Sequence, residues 1–393
     1  MSSQSHSVEL PPAEGGEGAA EPQEALDPDP PSRPAADGFV LVDKPLGWTS
    51  HQVVGRLRRR LEIRKIGHAG TLDPLATGLL VCGVGRATRL LGYIQSEDKT
   101  YAARLRFGVE TTTEDLGGQI ADARGAARLT AQDVLEAAQG FLGEIEQVPS
   151  AVSAIKVDGR RAYSMVRTGE TPQLKPRLVR ISRLDFGEGQ ARVLSRAQLE
   201  STATGGAGQD GQGRKSRRRT PHPVANRAAP RSDGPVVTPV AAFEPAYGQA
   251  ALGPAEPGVP VFDIDLVVDC SAGTYIRALA RDLGRAVGTG AHLIALRRLR
   301  TGPFDVSEAQ LGQRQVKAGP VVPVLPVTAV MSRVLPLVRV EGDLVRRVGH
   351  GQPVPLSLGG PTLLVGPGDA ALAVYAPAGD QARPQTVVVG GPT

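Results

Sequence analysis

Two segments of this chain have compositions that do not support a hydrophobic core, and they limit where a fold can begin and end. Residues 1–36 are rich in Pro, Glu, Ser, Gly and Ala, and residues 195–258 are rich in Gly, Ala and Pro. Such segments bury too little apolar surface to offset the entropy lost on ordering. We therefore predict a disordered N-terminal tail over 1–36 and a disordered low-complexity insertion over 195–258.

The rest of the chain shows the patterns of an α+β fold. Short alternating apolar runs predict strands, and apolar residues at helical spacing predict flanking helices. Thr49 or Ser50 is expected to cap one helix through Arg60, and Thr130 with Asp133 has the capping-box pattern of another. We assign 37–194 and 259–330 to two parts of one interrupted domain, and 331–393 to a small all-β domain with four short strand-like runs.

Composition limits the cellular compartment and the kind of binding partner that this sequence predicts. Cys82 and Cys270 provide neither a disulfide framework nor a metal quartet, which indicates a reducing, cytoplasmic setting. We expect no membrane association, since no apolar run approaches the ~18 residues of a membrane span and the N-terminus lacks a signal-peptide pattern. Lys and Arg number 45 against 40 Asp and Glu, and an acidic tail precedes a more basic body, which fits a polyanionic partner.

One loop, residues 67–78, places a single carboxylate between turn-forming residues. Gly67, Gly70 and Gly78 permit tight turns and close approach of the backbone to a ligand. Pro74 restricts the residue before it to extended conformations, so the side chain of Asp73 is held in one direction. Taken alone, this Asp-Pro pair next to glycine is also an ordinary Asx-type turn.

Two further stretches, far away in sequence, carry residue types suited to a nucleotide. Residues 99–101 place Tyr101 at the start of a strand behind basic residues. Residues 273–277 place Tyr275 and Arg277 in the expected first turn of a helix that begins at Thr274, where the helix N-terminus favours negative charge.

At these residues the chain resembles the bacterial tRNA pseudouridine synthases that modify the uridine at position 55 of the T loop. The string Gly-His-x-Gly-x-Leu-Asp-Pro-x-Ala-x-Gly-Leu-Leu in the loop is highly specific. The resemblance implies the pseudouridine-synthase fold, a mixed, mostly antiparallel sheet with flanking helices, and a PUA-like C-terminal domain that either binds RNA or forms a structural cap. The matching segments are 42–50, 67–80, 98–101, 111–115, 147–151 and 270–300.

The resemblance implies an isomerisation without a cofactor. The N1–C1′ bond breaks, the uracil turns, and C5 joins C1′, which needs neither redox chemistry nor an external donor. Asp73 is then the essential carboxylate, either as a nucleophile or as a base toward the ribose. Arg277 resembles the arginine that pairs with this aspartate and keeps it charged.

The resemblance also implies roles around the target base, which must leave its stack before it can react. Tyr101 resembles the residue that stacks on the flipped uracil, and Tyr275 resembles one near C5, although core packing would explain either tyrosine. His68 resembles the residue that occupies the space left by the base. The remaining implied roles are support of the active-site floor for Lys44, an apolar pocket wall for Leu296, and phosphate contacts for Arg297, Arg298 and Arg300.

We therefore expect an enzyme that forms pseudouridine in the T loop of tRNA. Two alternatives are a pseudouridine synthase that acts on another RNA stem-loop, and an RNA-binding folding chaperone for tRNA that uses the same cleft. We further expect a monomer with no obligatory protein partner.

Overall fold

The structure is a computed structural model that describes residues 37–151, 156–157, 160–161, 165, 172–204, 258–317 and 321–388. The predicted tail, 1–36, and residues 205–257 of the predicted insertion lie outside these ranges. Among the described residues, no helix is both long and apolar enough to span a membrane.

The strands are short, and most of them belong to one sheet. Their bounds are β1 Gly38–Lys44, β2 Ile66–His68, β3 Ala76–Val84, β4 Lys99–Phe107, β5 Glu110–Thr111, β6 Ile120–Asp122, β7 Gly143–Gln147, β8 Lys156–Val157, β9 Arg160–Arg161, β10 Arg177–Phe186, β11 Gln190–Leu194, β12 Val259–Cys270, β13 Ala291–Thr301, β14 Phe304–Asp305, β15 Leu325–Pro326, β16 Leu337–Arg339, β17 Thr362–Val365, β18 Ala371–Ala378 and β19 Gln381–Val387.

The helices flank this sheet and the smaller C-terminal one. Their bounds are α1 Ser50–Leu61, α2 Leu91–Gln95, α3 Ala131–Ala138, α4 Arg196–Thr204, α5 Ile276–Ala286, α6 Gln313–Lys317, α7 Val327–Met331 and α8 Asp343–Gly349. Short 3-10 turns span Gly85–Leu90, Gln139–Phe141, Val306–Glu308 and Pro367–Asp369.

Within the described residues, eleven strands form one sheet, whose main path runs β15-β1-β3-β13-β4-β12-β10-β7. Its strand pairs are antiparallel except for β13 with β3, which are parallel. The expected mixed, mostly antiparallel sheet is therefore confirmed. The order also places both parts of the interrupted domain in one sheet, because β12 and β13 flank β4.

Alternation along β4 separates the two faces of this sheet. Ala103, Leu105 and Phe107 are fully buried against α5 and α3 in the largest apolar core. Arg104 and Arg106 point to the opposite face, where they pair with carboxylates of β12. Successive residues of a strand point to opposite sides, so one short run supplies both environments.

Both predicted N-caps form, at Thr49 and at Thr130, and both are capping boxes. Thr49 accepts from the backbone of Gln52 at the start of α1, and Thr130 accepts from Asp133 at the start of α3. The helix predicted to begin at Thr274 begins later. It is α5, which starts at Ile276, and Tyr275 is its N-cap residue, with extended backbone, rather than part of its first turn.

The boundary predicted for the insertion is wrong at its start. Residues 196–204 form α4, and Leu199 is buried in a small apolar cluster with Val109 and Val261. In the sequence, Leu199 stands alone among polar and small residues, so its burial was not predicted. On either side of the segment, Leu194 of β11 pairs with Val259 of β12.

The C-terminal region has the four predicted strands in a sheet of order β16-β17-β18-β19. Helix α8 adds an element that the strand-like pattern did not predict. Buried residues of this region, including Leu363 and Val374, share an apolar core with Phe39 and Leu79 of the large sheet. The C-terminal sheet is therefore packed directly on the strands that flank the Asp73 loop.

Candidate active site

The Asp73 loop connects β2 to β3, and contacts on both sides of Asp73 hold it. The hydroxyl of Ser50 accepts from the amide of Leu72 at 2.9 Å and donates to the carbonyl of Leu72 at 3.2 Å. The carbonyl of Pro74 accepts from the amide of Gly47 at 2.8 Å. The turn before α1 and the first residue of α1 therefore fix both neighbours of the carboxylate.

Asp73 forms an ion pair with Arg277. The carboxylate Oδ2 lies 2.9 Å from Nε of the arginine, whose side chain is 5% exposed while that of Asp73 is 38% exposed. A recess beside the pair is lined by Asp73, Asp115 and Arg277 together with the apolar residues Leu75, Ala76, Leu293, Ile294, Ala295 and Leu296. One exposed carboxylate thus faces a mostly apolar recess, with its countercharge buried behind it.

Three further contacts hold the guanidinium of Arg277. Its Nη1 donates to the carbonyl of Thr113 at 3.0 Å and to the hydroxyl of Ser150 at 3.1 Å. Its Nε also lies 3.7 Å from Oδ2 of Asp115. The arginine is therefore fixed in orientation as well as in position.

Asp115 is a second carboxylate at this site. Burial raises its pKa, while the charge of Arg277 and a hydrogen bond from Thr113 lower it. The hydroxyl of Thr113 donates to Oδ1 of Asp115 at 2.5 Å, and the amide of Gly117 donates to the same oxygen at 2.9 Å. Asp115 is thereby set to hold Arg277 rather than to face the recess as openly as Asp73.

Tyr101 lies next to the same site, in the row of the sheet that contains Arg298. Burial raises the pKa of the Tyr101 hydroxyl, the charge of Arg298 opposes this, and the charge of Asp73 adds to it. The tyrosine is partly buried and packs against the main core. Its hydroxyl is thus held within the electrostatic reach of Asp73.

Lys44 lies beneath the loop and is fully buried. Its ammonium donates to the carbonyls of Trp48 at 2.5 Å, Pro45 at 3.0 Å and Pro74 at 3.4 Å. Burial lowers its pKa to about 8, against the charge of Asp73, which raises it. This position fits support of the site floor and excludes direct contact of the lysine with RNA in this conformation.

His68 lies at the end of β2, before the loop. Its ring meets that of His51 edge to face, with centroids 5.7 Å apart. Burial lowers the pKa of His68 to about 4, and the charges of His51 and Arg298 lower it further. The imidazole is consequently neutral at physiological pH, as suits a ring that occupies space rather than one that transfers protons.

Leu296 and Tyr275 differ in how directly they reach the recess. Leu296 is one of its lining residues. The backbone of Tyr275 is clamped by Gln147, whose side chain accepts from the tyrosine amide at 2.8 Å and donates to its carbonyl at 3.2 Å. Tyr275 is not among the described residues that line the recess, although it precedes Arg277 by two positions.

The prediction of phosphate contacts divides among the three arginines of β13. Arg298 is 1% exposed, so the prediction that it contacts phosphate is wrong; alternation along the strand turns it inward. Arg297 points to the other side and pairs with both oxygens of Asp43, at 2.9 and 2.8 Å. Arg300 is 43% exposed and remains the most accessible of the three.

Two protein-family models match parts of the chain. A model described as the TruB family pseudouridylate synthase N-terminal domain matches residues 58–207. A model described as the tRNA pseudouridylate synthase B C-terminal domain matches residues 277–318. The second range covers most of α5, all of β13 and α6, so it lies in the large sheet and its helices rather than in the four-stranded C-terminal sheet.

Curated relatives match over nearly their whole length. A tRNA pseudouridine synthase B of Thermobifida fusca (strain YX) is 38% identical over 90% of this chain and 99% of the relative. One of Arthrobacter sp. (strain FB24) is 37% identical over 87% of this chain and 90% of the relative. The chain belongs to the TruB family. It is therefore a pseudouridine synthase.

Solved structures share the fold of this TruB family member. A Cbf5-Nop10-Gar1 complex matches with a TM-score of 0.53 and 21% identity, covering 90% of this chain and 85% of the other. An H/ACA RNP bound to a substrate RNA containing 2′-deoxyuridine matches with a TM-score of 0.52 and 20% identity, over 90% and 85% of the two chains. These likenesses confirm the predicted pseudouridine-synthase fold.

Sequence reasoning did not assign roles to several residues that build this TruB site. They are Ser50, which holds Leu72, and Asp115, Thr113 and Ser150, which hold Arg277. Thr113 and Asp115 lie in the 111–115 segment of the resemblance and Ser150 lies in the 147–151 segment, so each could have been flagged by its segment. Their partners could not, because the contacts with Arg277 join residues more than 100 positions apart and the Ser50–Leu72 contact joins two separate elements.

Proposed function

We propose that this synthase converts the uridine at position 55 in the T loop of tRNA to pseudouridine, with Asp73 as the essential carboxylate. The observation that carries the proposal is the pairing of Asp73 with buried Arg277 at the edge of an apolar recess. The curated relatives named tRNA pseudouridine synthase B support tRNA as the substrate class.

In this proposal the uracil binds at the mouth of the recess. Leu75, Leu293 and Leu296 would supply apolar contacts for the flat base, and Asp73, which also lines the recess, would face the reacting nucleotide. The base has to leave its stack to enter such a recess. Tyr101 then stacks on the uracil, an interaction worth ~1–3 kcal/mol per base in single-stranded recognition.

The reaction breaks N1–C1′, turns the uracil and forms C5–C1′, after which the C5 proton is lost and N1 regains one. Asp73 acts on the ribose or the base, as a nucleophile or as a base, and Arg277 stabilises its charge throughout. Tyr275 or another group near C5 accepts the last proton. His68 occupies the space that the base leaves, and Lys44 keeps the floor of the site in place.

The decisive experiment measures tritium release from C5-labelled uridine in a T-arm RNA, with wild type, Asp73→Asn and the surface control Asp343→Asn. Asp343 is an exposed residue of α8 that pairs with Arg346 and does not line the recess. We expect release by wild type and the control, and none by Asp73→Asn with RNA affinity retained. Turnover by Asp73→Asn would refute its role.

Substrate choice separates this function from the two alternatives. A T-arm minihelix should be a good substrate, and moving its uridine away from the T-loop position should abolish release. Preference for an unrelated stem-loop would support a different RNA substrate. A cytoplasmic, monomeric enzyme without an obligatory protein partner remains our prediction; the related fold in the Cbf5-Nop10-Gar1 complex occurs with partner proteins.

A further inference from the structure

Arg298 lies in the middle of a row that crosses three strands. It pairs with Gly78 of β3 on one side and with Tyr101 of β4 on the other. Directly paired residues of neighbouring strands point to the same side of a sheet. The side chain of Arg298 therefore lies next to Tyr101 and beneath the loop that carries Asp73.

One guanidinium group reaches both ends of this loop. Its Nε donates to the carbonyl of Leu79 at 2.7 Å, and its Nη2 donates to the carbonyl of Gly70 at 3.2 Å. Gly70 precedes Asp73 by three residues, and Leu79 follows it by six. Across the strand pair, Tyr101 lies directly opposite Arg298 on the same side of the sheet.

The glycines of the loop fit around this side chain. A Cβ on Gly78 would lie 2.2 Å from the carbonyl oxygen of Arg298, and the φ of Gly78 is +101°, so no other residue type fits there without displacement. A Cβ on Gly70 would lie 3.4 Å from Nη1 of Arg298. Two of the three glycines that mark the loop in the sequence are thus next to Arg298.

Burial excludes the role that the sequence predicted. Arg298 is 1% exposed, so a phosphate of bound RNA does not reach it. Arginine has five donors in a planar fork, which suits several acceptors at fixed angles, whereas lysine has one compact ammonium group. The arrangement uses this fork to join two backbone carbonyls on either side of Asp73.

We propose that Arg298 is a positioning residue that closes the Asp73 loop at both ends and holds Tyr101 in register with it. Through these contacts it sets the distance between the reacting carboxylate and the stacking ring. This inference rests on the proposed function, and its test keeps the two apart.

The test compares Arg298→Lys and Arg298→Met with wild type and Arg106→Met. Arg106 is a buried arginine on β4, on the opposite face of the sheet, and controls for the loss of a buried cation. Single-turnover tritium release is measured at saturating T-arm RNA, and RNA affinity is measured at two salt concentrations. Circular dichroism establishes the folded fraction of each variant.

We expect both Arg298 variants to react about 100-fold more slowly per folded molecule, since small displacements of reacting groups have effects of this size. Their RNA affinity and its salt dependence should match those of wild type. The folded Arg106→Met protein should react at the wild-type rate. A double-mutant cycle with Tyr101→Phe should be non-additive, since the two residues are direct neighbours across β4 and β13.

Other outcomes would overturn the proposal. The proposal is overturned if the Arg298→Lys protein is folded and reacts within threefold of the wild-type rate. This variant alone is sufficient for the test if Arg298→Met does not fold. A weaker affinity with a reduced salt slope would identify a phosphate contact instead. Inactivity of wild type on the T arm would reject the proposed function, and the Arg298 comparison would then be made on the RNA that wild type accepts.

Discussion

The two faces of the large sheet satisfy buried cations in different ways. On the face away from the recess, Arg104 and Arg106 each form two hydrogen bonds with one carboxylate of β12, at 2.6 to 2.8 Å. Near the recess, Lys44 and Arg298 donate to backbone carbonyls, without an ion pair to a described carboxylate.

This difference concerns the cations carried by the strands, since Arg277 of α5 pairs with Asp73 and Asp115. A carboxylate partner neutralises a cation, whereas a carbonyl satisfies its hydrogen bonds and leaves the net charge in place. Around Asp73 the sheet thus retains positive charge, which acts on the one exposed carboxylate and on an anionic substrate. On the other face the same residue types only hold strands together.

The largest expected effect is on stability, at the carboxylate-paired face. Arg106 and Asp263 have side chains that are 7% and 6% exposed. Arg106→Met leaves Asp263 as a buried charge without its partner, so we expect a loss of roughly 3–5 kcal/mol in the free energy of unfolding. Urea titration measures this loss.

The matched control removes both charges. Arg106→Met/Asp263→Leu should recover most of the lost stability, because the charge that was left alone is gone. Turnover per folded molecule should stay at the wild-type value in both proteins. A fall in turnover would mean that the two faces are not independent.

At the recess, the expected effect is on rate. Arg277→Lys retains the charge but loses the fork that reaches Asp73, Thr113 and Ser150 together. We expect a fall of about 100-fold in the single-turnover rate, or ~3 kcal/mol, with RNA affinity retained. A rate within threefold of wild type would show that charge alone is sufficient.

The pH dependence of stability tests the protonation of the buried cations that donate to backbone carbonyls. Burial lowers the pKa of Lys44 from 10.5 to about 8, so the folded state releases this proton before the unfolded state does. Lys44 should therefore contribute increasing stability as the pH rises from about 8 to 10.5, with an upper limit of roughly 3 kcal/mol.

The measurement is the difference in free energy of unfolding between wild type and Lys44→Met at several pH values. Lys99 has a similarly lowered pKa, and subtraction of the mutant removes its contribution. The free energy of unfolding of wild type relative to Lys44→Met should rise above pH 8 and stay constant below it. A difference that is constant over the whole range would contradict the lowered pKa.

The smallest effect is expected at the surface. Arg300 is 43% exposed, and its partners are Thr100 of β4 and Asp269 of β12. Arg300→Gln should reduce the salt dependence of RNA binding by about one unit of slope and leave the saturated rate unchanged. An unchanged slope would show that Arg300 makes no phosphate contact.

The sequence was sufficient for the family and the fold class, and insufficient for the surroundings of the proposed site residues. Local constraints alone fit an ordinary turn at Asp73, and the resemblance of the whole loop brought Asp73 together with Arg277, with which it pairs in the structure. Arg298 could not be assigned correctly, because its inward direction depends on the register between β3, β13 and β4. The start of the insertion was missed because one buried leucine, Leu199, decides it.

The pairing of Leu194 with Val259 has a consequence for protein engineering. These residues are neighbours across two strands, so everything between them forms the connection of a single hairpin. The entropic free-energy cost of closing such a connection rises by only ~0.6 kcal/mol for each doubling of its length. Residues 205–257 could therefore be replaced by a short linker after α4, or by a reporter domain whose ends lie close together, and the strands that carry the site would keep their register.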